Sequence, residues 1–169
     1  SLDIVVLLTA LPPSVELRFL AKKSLFRVPF LGWAMTSAGF IPVDREDRST
    51  AAATLAETLE EVARGGSPLV FPEETWPTDG RLLPFARGGF LVALKAGLPI
   101  LPVGLEGPRM VLPPGEGVVR PQPVTVRIGR PIPTDGLGVS SRVDLMARTR
   151  TEIDRLRGPS GHLRDELQN

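Results

Sequence analysis

The stretch from Pro68 to Leu105 constrains the fold more than any other part of the chain. A short apolar run, Leu69-Val70-Phe71, stops at Pro72 and drops into Glu73, Glu74, Thr75 and Trp76. Gly80, the Gly88-Gly89 pair, an apolar helical segment and a second apolar run, residues 98–105, come next. Strand, polar loop, helix, strand is the pattern of a sheet with covering helices. In such sheets the loops at the carboxyl ends of the strands hold the ligand. The loop that carries Glu73 to Trp76 is expected at such an end.

The rest of the pattern supports an α/β fold. Residues 3–11 form an apolar segment expected to be helical and stopped by Pro12-Pro13. A strand is expected over 16–21, and Ser24 can cap a turn carrying Leu25 and Phe26. Pro29 starts a second short helix, 30–37, which ends at Gly39. Residues 40–43 read as a strand closed by Asp44-Arg45. Ser49 or Thr50 can cap a helix over 51–64, with Leu55, Leu59 and Val62 on one face. Strands are expected at 69–71, 100–105 and 124–128, and a helix at 88–96. Residues 108–123, rich in Pro and Gly, read as an irregular excursion. Ser140 or Ser141 caps a last helix running to about Leu156.

At 169 residues the length suits one domain. Residues 1–157 are expected to form it, with 158–169 as a polar tail. A 42% hydrophobic content is enough for a core, and a net charge of +1 leaves no bulk footprint for nucleic acid. The absence of cysteine excludes disulfides, thiolate metal sites and a cysteine nucleophile. The longest apolar runs, such as residues 4–8, fall far short of the roughly 20 residues a spanning helix needs. The sequence opens in what reads as the middle of an element, so an upstream segment is expected.

Several short strings together resemble the glycerolipid acyltransferases of the 1-acylglycerol-3-phosphate acyltransferase type. Ser1-Leu2-Asp3 is similar to the end of that family's NH-x-S-x-L-D motif. Residues 21–26 with Pro29, Gly32 and Trp33 resemble its AKKELF-x-x-P-x-x-GW segment. Residues 39–45, ending in Asp44-Arg45, resemble its second motif. Phe71-Pro72-Glu73-Glu74-Thr75-Trp76 lines up with FPEGTR, residues 85–90 with F-K-x-G-x-F, and residues 98–103 with V-P-I-x-P-V. Each string alone is weak; their order and spacing make the resemblance specific.

The resemblance implies direct acyl transfer from an acyl thioester, on acyl-carrier protein or coenzyme A, to a lysolipid hydroxyl. A histidine is the expected general base, and Asp3 is the catalytic aspartate that orients it. That histidine would lie five residues before Asp3, ahead of Ser1. The only histidine in the sequence, His162, reads as a solvated tail residue. Substrate-binding residues implied by the motifs are Lys22, Lys23, Arg45, Glu73, Glu74, Thr75, Trp76 and Arg87. No metal or resident cofactor is implied, because the donor is itself a substrate. The expected place is the cytoplasmic face of the membrane, held peripherally or by an upstream anchor. Leu25, Phe26, Phe30 and Leu31 beside Lys22-Lys23 form the candidate contact, at about 1 kcal/mol per charge with anionic lipid.

Three positions depart from the family. Glu74 stands where it has glycine, Trp76 where it has the arginine expected to meet the acceptor phosphate, and Ala86 where it has lysine. Either Lys22, Lys23, Arg45 and Arg87 carry the phosphate, or the acceptor is not a simple phosphomonoester. A non-catalytic lipid-binding homologue is the alternative from another class. Residue by residue, Asp3 also suits a helix N-terminus on charge alone. Arg45 also suits a solvated strand end, Glu73 a cap or ion pair, and Trp33 the core. The expected architecture is a single domain with a mixed, mostly parallel sheet of about six or seven strands and helices on both faces, glycerol-3-phosphate acyltransferase-like.

Overall fold

The computed structural model describes residues 2–12, 14–43, 51–73, 82–111 and 120–158. Its elements in chain order are α1 (Leu2–Ala10), β1 (Leu17–Lys22), a 3-10 turn (Lys23–Arg27), α2 (Leu31–Ser37), β2 (Ile41–Val43), α3 (Ala51–Ala63) and β3 (Ser67–Leu69). After these come α4 (Gly88–Ala96), β4 (Val103–Glu106), α5 (Pro108–Val111), β5 (Thr125–Ile128), a second 3-10 turn (Val139–Ser141) and α6 (Arg142–Leu156).

β1 is the centre of a three-stranded parallel sheet of order β2-β1-β3. Leu20 pairs with Ile41 and Lys22 with Val43 on one side; Leu17 pairs with Ser67 and Phe19 with Leu69 on the other. Parallel strands need crossovers, and α2 and α3 lie within them, as the 3.6-residue periodicity indicated. Phe19 and Ile41 are buried here, and Phe19 stacks on Phe40 with centroids 5.1 Å apart. β4 and β5 form a separate antiparallel pair.

α4 couples the two parts. Phe90, Val92, Ala93 and Leu94 are all buried, and Gly97 ends the helix at φ +63°, its amide donating to the Ala93 carbonyl. Phe85, Phe90 and Leu94 join Ile132 and the fully buried Leu145 of α6 in one cluster. The last turn of α6 lies directly on β4: a Cβ on Gly104 would sit 2.6 Å from the Leu156 backbone.

The structure corrects several expectations. The described residues hold five strands in two sheets, not one sheet of six or seven. Pro99 and Pro102 lack the N–H a ladder needs. Ile100 therefore makes only an isolated bridge to Ile132, and β4 begins at Val103. The strand expected at 69–71 lies at Ser67–Leu69, so Val70 to Glu73 already belong to the loop. Ser24 sits inside the first 3-10 turn rather than capping it, and Ser141 makes no side-chain cap at α6. Trp33 is not core: only Gly32 and Met35 of α2 are buried, and Trp33 is 77% exposed on the other side. No helix among the described residues is long and apolar enough to cross a membrane.

β1 is tied to α3 by Arg18, whose Nε donates to Glu61 Oε2 at 3.0 Å. Gly39 and Gly66 flank that guanidinium; a Cβ on Gly66 would lie 2.8 Å from Arg18 Cγ. The Arg18 hydrogen bond holds the Glu61 carboxyl below its ordinary range, against partial burial and with help from Arg64. A carboxylate depressed on folding stabilises above its unfolded pKa, and that contribution is lost as pH falls through the folded value. Thermal melts should therefore show a decline in stability below the ordinary glutamate range of about 4.3 that Glu61→Gln makes shallower. Equal acid limbs in both proteins would remove this ion pair from the account.

Candidate active site at the carboxyl ends of the parallel strands

Parallel pairing gives β1, β2 and β3 one direction, so their carboxyl ends share an edge. The chain runs from β1 to β2 on one side and then back past β1 to β3 on the other. A ligand crevice lies outside the carboxyl ends where successive connections diverge in this way, here between β1 and β3. Lys22 closes β1 and Lys23 follows it, both exposed. Val70 to Glu73 leave the end of β3. The topology thus brings Lys22, Lys23 and Glu73 to one edge.

The amino end of α4 reaches the same place. Gly89 lets its first turn approach the loop, since a Cβ there would come within 3.2 Å of Val70 Cγ2. Arg87 occupies the N-cap position, exposed and without a side-chain cap hydrogen bond. Amide N–H groups of a first helical turn, together with a guanidinium, favour an anion.

Glu73 has a structural task. Its Oε2 accepts from the Leu83 amide at 2.9 Å, and the Ala86 amide donates to the Pro72 carbonyl at 2.7 Å. Both ends of the motif loop are thereby clasped together. Of the two readings of Glu73, the hydrogen bond supports the one that shapes the loop.

The clasp has an anchor that sequence reasoning missed. Arg150 of α6 donates Nη1 to the Leu83 carbonyl and Nη2 to the Leu82 carbonyl. Its guanidinium also lies 5.4 Å from the Phe85 ring centroid. One cation thus meets three features of segment 82–85. Nothing in the sequence separates Arg150 from the other arginines of α6, because its partners are carbonyls far away in the chain.

Asp3 lies in the first turn of α1 and is only 5% exposed, on the face it shares with buried Leu7. The helix runs against β5. Arg45, Glu74, Thr75 and Trp76 lie outside the described residues, as do His162 and the expected helix cap at Ser49 or Thr50. A separate pocket of about 240 Å³ lies at the amino end of β2, between Gly39, Phe40 and the last turns of α3. Glu57, Glu60 and Glu61 line it, so it does not suit an anionic head group.

Residues 1–106 match the family model described as acyltransferase. The chain is 39% identical over 116 residues to the 1-acyl-sn-glycerol-3-phosphate acyltransferase BAT2, chloroplastic, of Brassica napus, covering 68% of this chain and 34% of that protein. It is 39% identical over 140 residues to the 1-acyl-sn-glycerol-3-phosphate acyltransferase of Saccharomyces cerevisiae, covering 81% and 46%. The crystal structure of the 1-acyl-sn-glycerophosphate (LPA) acyltransferase PlsC from Thermotoga maritima superposes with a TM-score of 0.74 at 27% identity, over 98% of this chain and 61% of that one. The chain thus spans less than half the length of these two curated relatives.

Arg150→Met keeps the apolar stem and removes the donors. It should cost about 1.5–3 kcal/mol, the range for hydrogen bonds to a charged group. Hydrogen exchange should accelerate at the Leu83 and Ala86 amides while the middle of α4 stays protected. Unchanged exchange at Leu83 would separate Arg150 from the loop.

Proposed function

This chain belongs to the acyltransferase family, of the 1-acylglycerol-3-phosphate acyltransferase type, and on that premise we propose that it transfers a fatty acyl group from a thioester to a lysolipid hydroxyl. The foremost acceptor is 1-acylglycerol-3-phosphate, in phospholipid biosynthesis. The donor is acyl-carrier protein thioester or acyl-coenzyme A, so the acyl carrier is a substrate and no resident cofactor is needed. Such donors and a lipid acceptor meet at the cytoplasmic face of a membrane.

The observation that carries this reading is Asp3: a buried carboxylate in the first turn of α1, at the position the motif reserves for aspartate. A buried carboxylate needs a hydrogen-bonding or charged partner to offset its desolvation, and the motif gives that part to a histidine. In the proposed step a histidine five positions before Asp3 takes the acceptor hydroxyl proton as that oxygen attacks the thioester carbonyl carbon. The tetrahedral adduct collapses, the C–S bond breaks, and the departing thiolate recovers the proton from the imidazolium. Asp3 accepts a hydrogen bond from the other ring nitrogen, fixing its tautomer and stabilising the imidazolium. Lys22, Lys23 and Arg87 supply positive charge for the acceptor phosphate.

Glu74 and Trp76 favour a second reading of the acceptor. A carboxylate repels a phosphate dianion, and an indole cannot fork one. An acceptor with a less anionic head group suits that loop better.

Asp3→Asn in the complete gene product tests the mechanism. It should lower kcat by orders of magnitude with little change in Tm; losing the correct histidine tautomer costs a serine protease about 10⁴. Near-normal turnover would reduce Asp3 to a helix-end charge.

The acceptor is tested by Glu74→Gly with Trp76→Arg, comparing lysophosphatidic acid with a zwitterionic lysolipid. Each charge-assisted contact is worth roughly 1.5–3 kcal/mol, so kcat/KM for the phosphate acceptor should rise about tenfold or more. A native protein that already prefers lysophosphatidic acid, and loses rate on the double change, would place Trp76 in a working phosphate site.

A further inference from the structure

Between Leu17 and Val43 the sequence holds Arg18, Lys22, Lys23 and Arg27 and no acidic residue. Within that stretch the structure turns large apolar side chains outward. Phe30 is 89% exposed, Trp33 77%, and Leu25, Val28 and Leu31 are each more than two-fifths exposed. Scattered apolar residues on a surface are ordinary, but a contiguous set rimmed by charge marks an interaction site. Lys23 and Arg27, both exposed, provide that rim within the same five-residue turn.

The set is also held in shape. The 3-10 turn and α2 meet at Gly32, where a Cβ would lie 2.0 Å from the Phe26 carbonyl oxygen. The Gly32 amide donates to Val28 and the Leu31 amide to Pro29, which locks the corner between them. Phe30, at the corner, takes φ +63°, which non-glycine residues adopt only at a cost. A strained backbone that leaves a phenyl ring in water is unfavourable unless the ring has another medium to enter.

We propose that this corner, Leu25 to Trp33, is the docking surface for an anionic lipid bilayer, with Phe30 and Trp33 entering the interface and Lys23 and Arg27 resting on the head groups. A tryptophan ring suits the head-group level, and basic residues suit the negative surface of the leaflet. The corner directly follows Lys22, which closes β1 at the carboxyl edge of the sheet. Docking there would set that edge against the lipid surface. The inference rests on exposure, charge and backbone geometry, and its failure would leave the acyl-transfer reading standing.

The complete gene product with Trp76→Phe carries Trp33 as its remaining tryptophan, provided added segments bring none. Its emission is followed on titration with phosphatidylcholine vesicles, with and without added phosphatidylglycerol, and with brominated lipid. Blue shift and quenching that grow with phosphatidylglycerol are expected. Adding Phe30→Ser and Trp33→Ser should lower vesicle binding, read by flotation, roughly tenfold or more from the lost apolar burial. Arg27→Gln should weaken binding to the anionic vesicles alone. An unquenched Trp33 would overturn the proposal. So would flotation unaffected by the serine changes, or protection of Trp33 by self-association in the absence of lipid.

Discussion

The parallel pairing of β1 with both β2 and β3 is the constraint on which the site depends. It gives three strand ends one edge and places the divergence of connections beside β1. If either pairing slipped by one residue, inward and outward side chains would exchange across the sheet. Phe19, buried at the middle of β1, makes such a slip costly because its ring has a single place to go, against Phe40. Register is therefore an apolar matter, settled away from the polar groups it positions.

The polar groups then act at the edge of what the core has arranged. Glu73 and Arg150 bond chiefly to backbone, not to each other. A carboxylate and a guanidinium used this way close a loop through its backbone. The positive character of the crevice is left to Lys22, Lys23, Arg87 and the amide dipoles of α4. This division explains how a loop can depart from its family at Glu74, Trp76 and Ala86 while its scaffold stays the same.

Four helices were legible almost to the residue, because each has a local stop: Pro12 after α1, Gly39 after α2, Gly65 after α3, Gly97 after α4; α5, Pro108–Val111, was not, and lies where an irregular excursion was expected. β1 was legible as a short strand before Lys22-Lys23, and β5 from its alternation. The bounds of the strands beside proline were not, since residues 98–105 and 67–72 are apolar enough for a ladder but lack donors at Pro68, Pro72, Pro99 and Pro102. Trp33 misled for a different reason. A large ring is usually core, and only the packing of Gly32 on Phe26 shows that α2 faces the other way. In the site, the strand-end position of the loop that begins at Glu73 was legible, whereas the long-range hold of Arg150 has no local signature.

The seat of α6 on β4 separates two boundaries that are often treated as one. Similarity to the family model stops at Glu106, yet Gly104 has no side chain because Leu156 lies against it, and Leu145 fills the apolar face of α4. The family model's match ends two thirds of the way along the chain, but the apolar core that α4 begins is closed by α6. The task of α6 in the described residues is volume and backbone contact. A helix that lies beyond the family model's match can in this way be as indispensable to the domain as the motifs by which the domain is known.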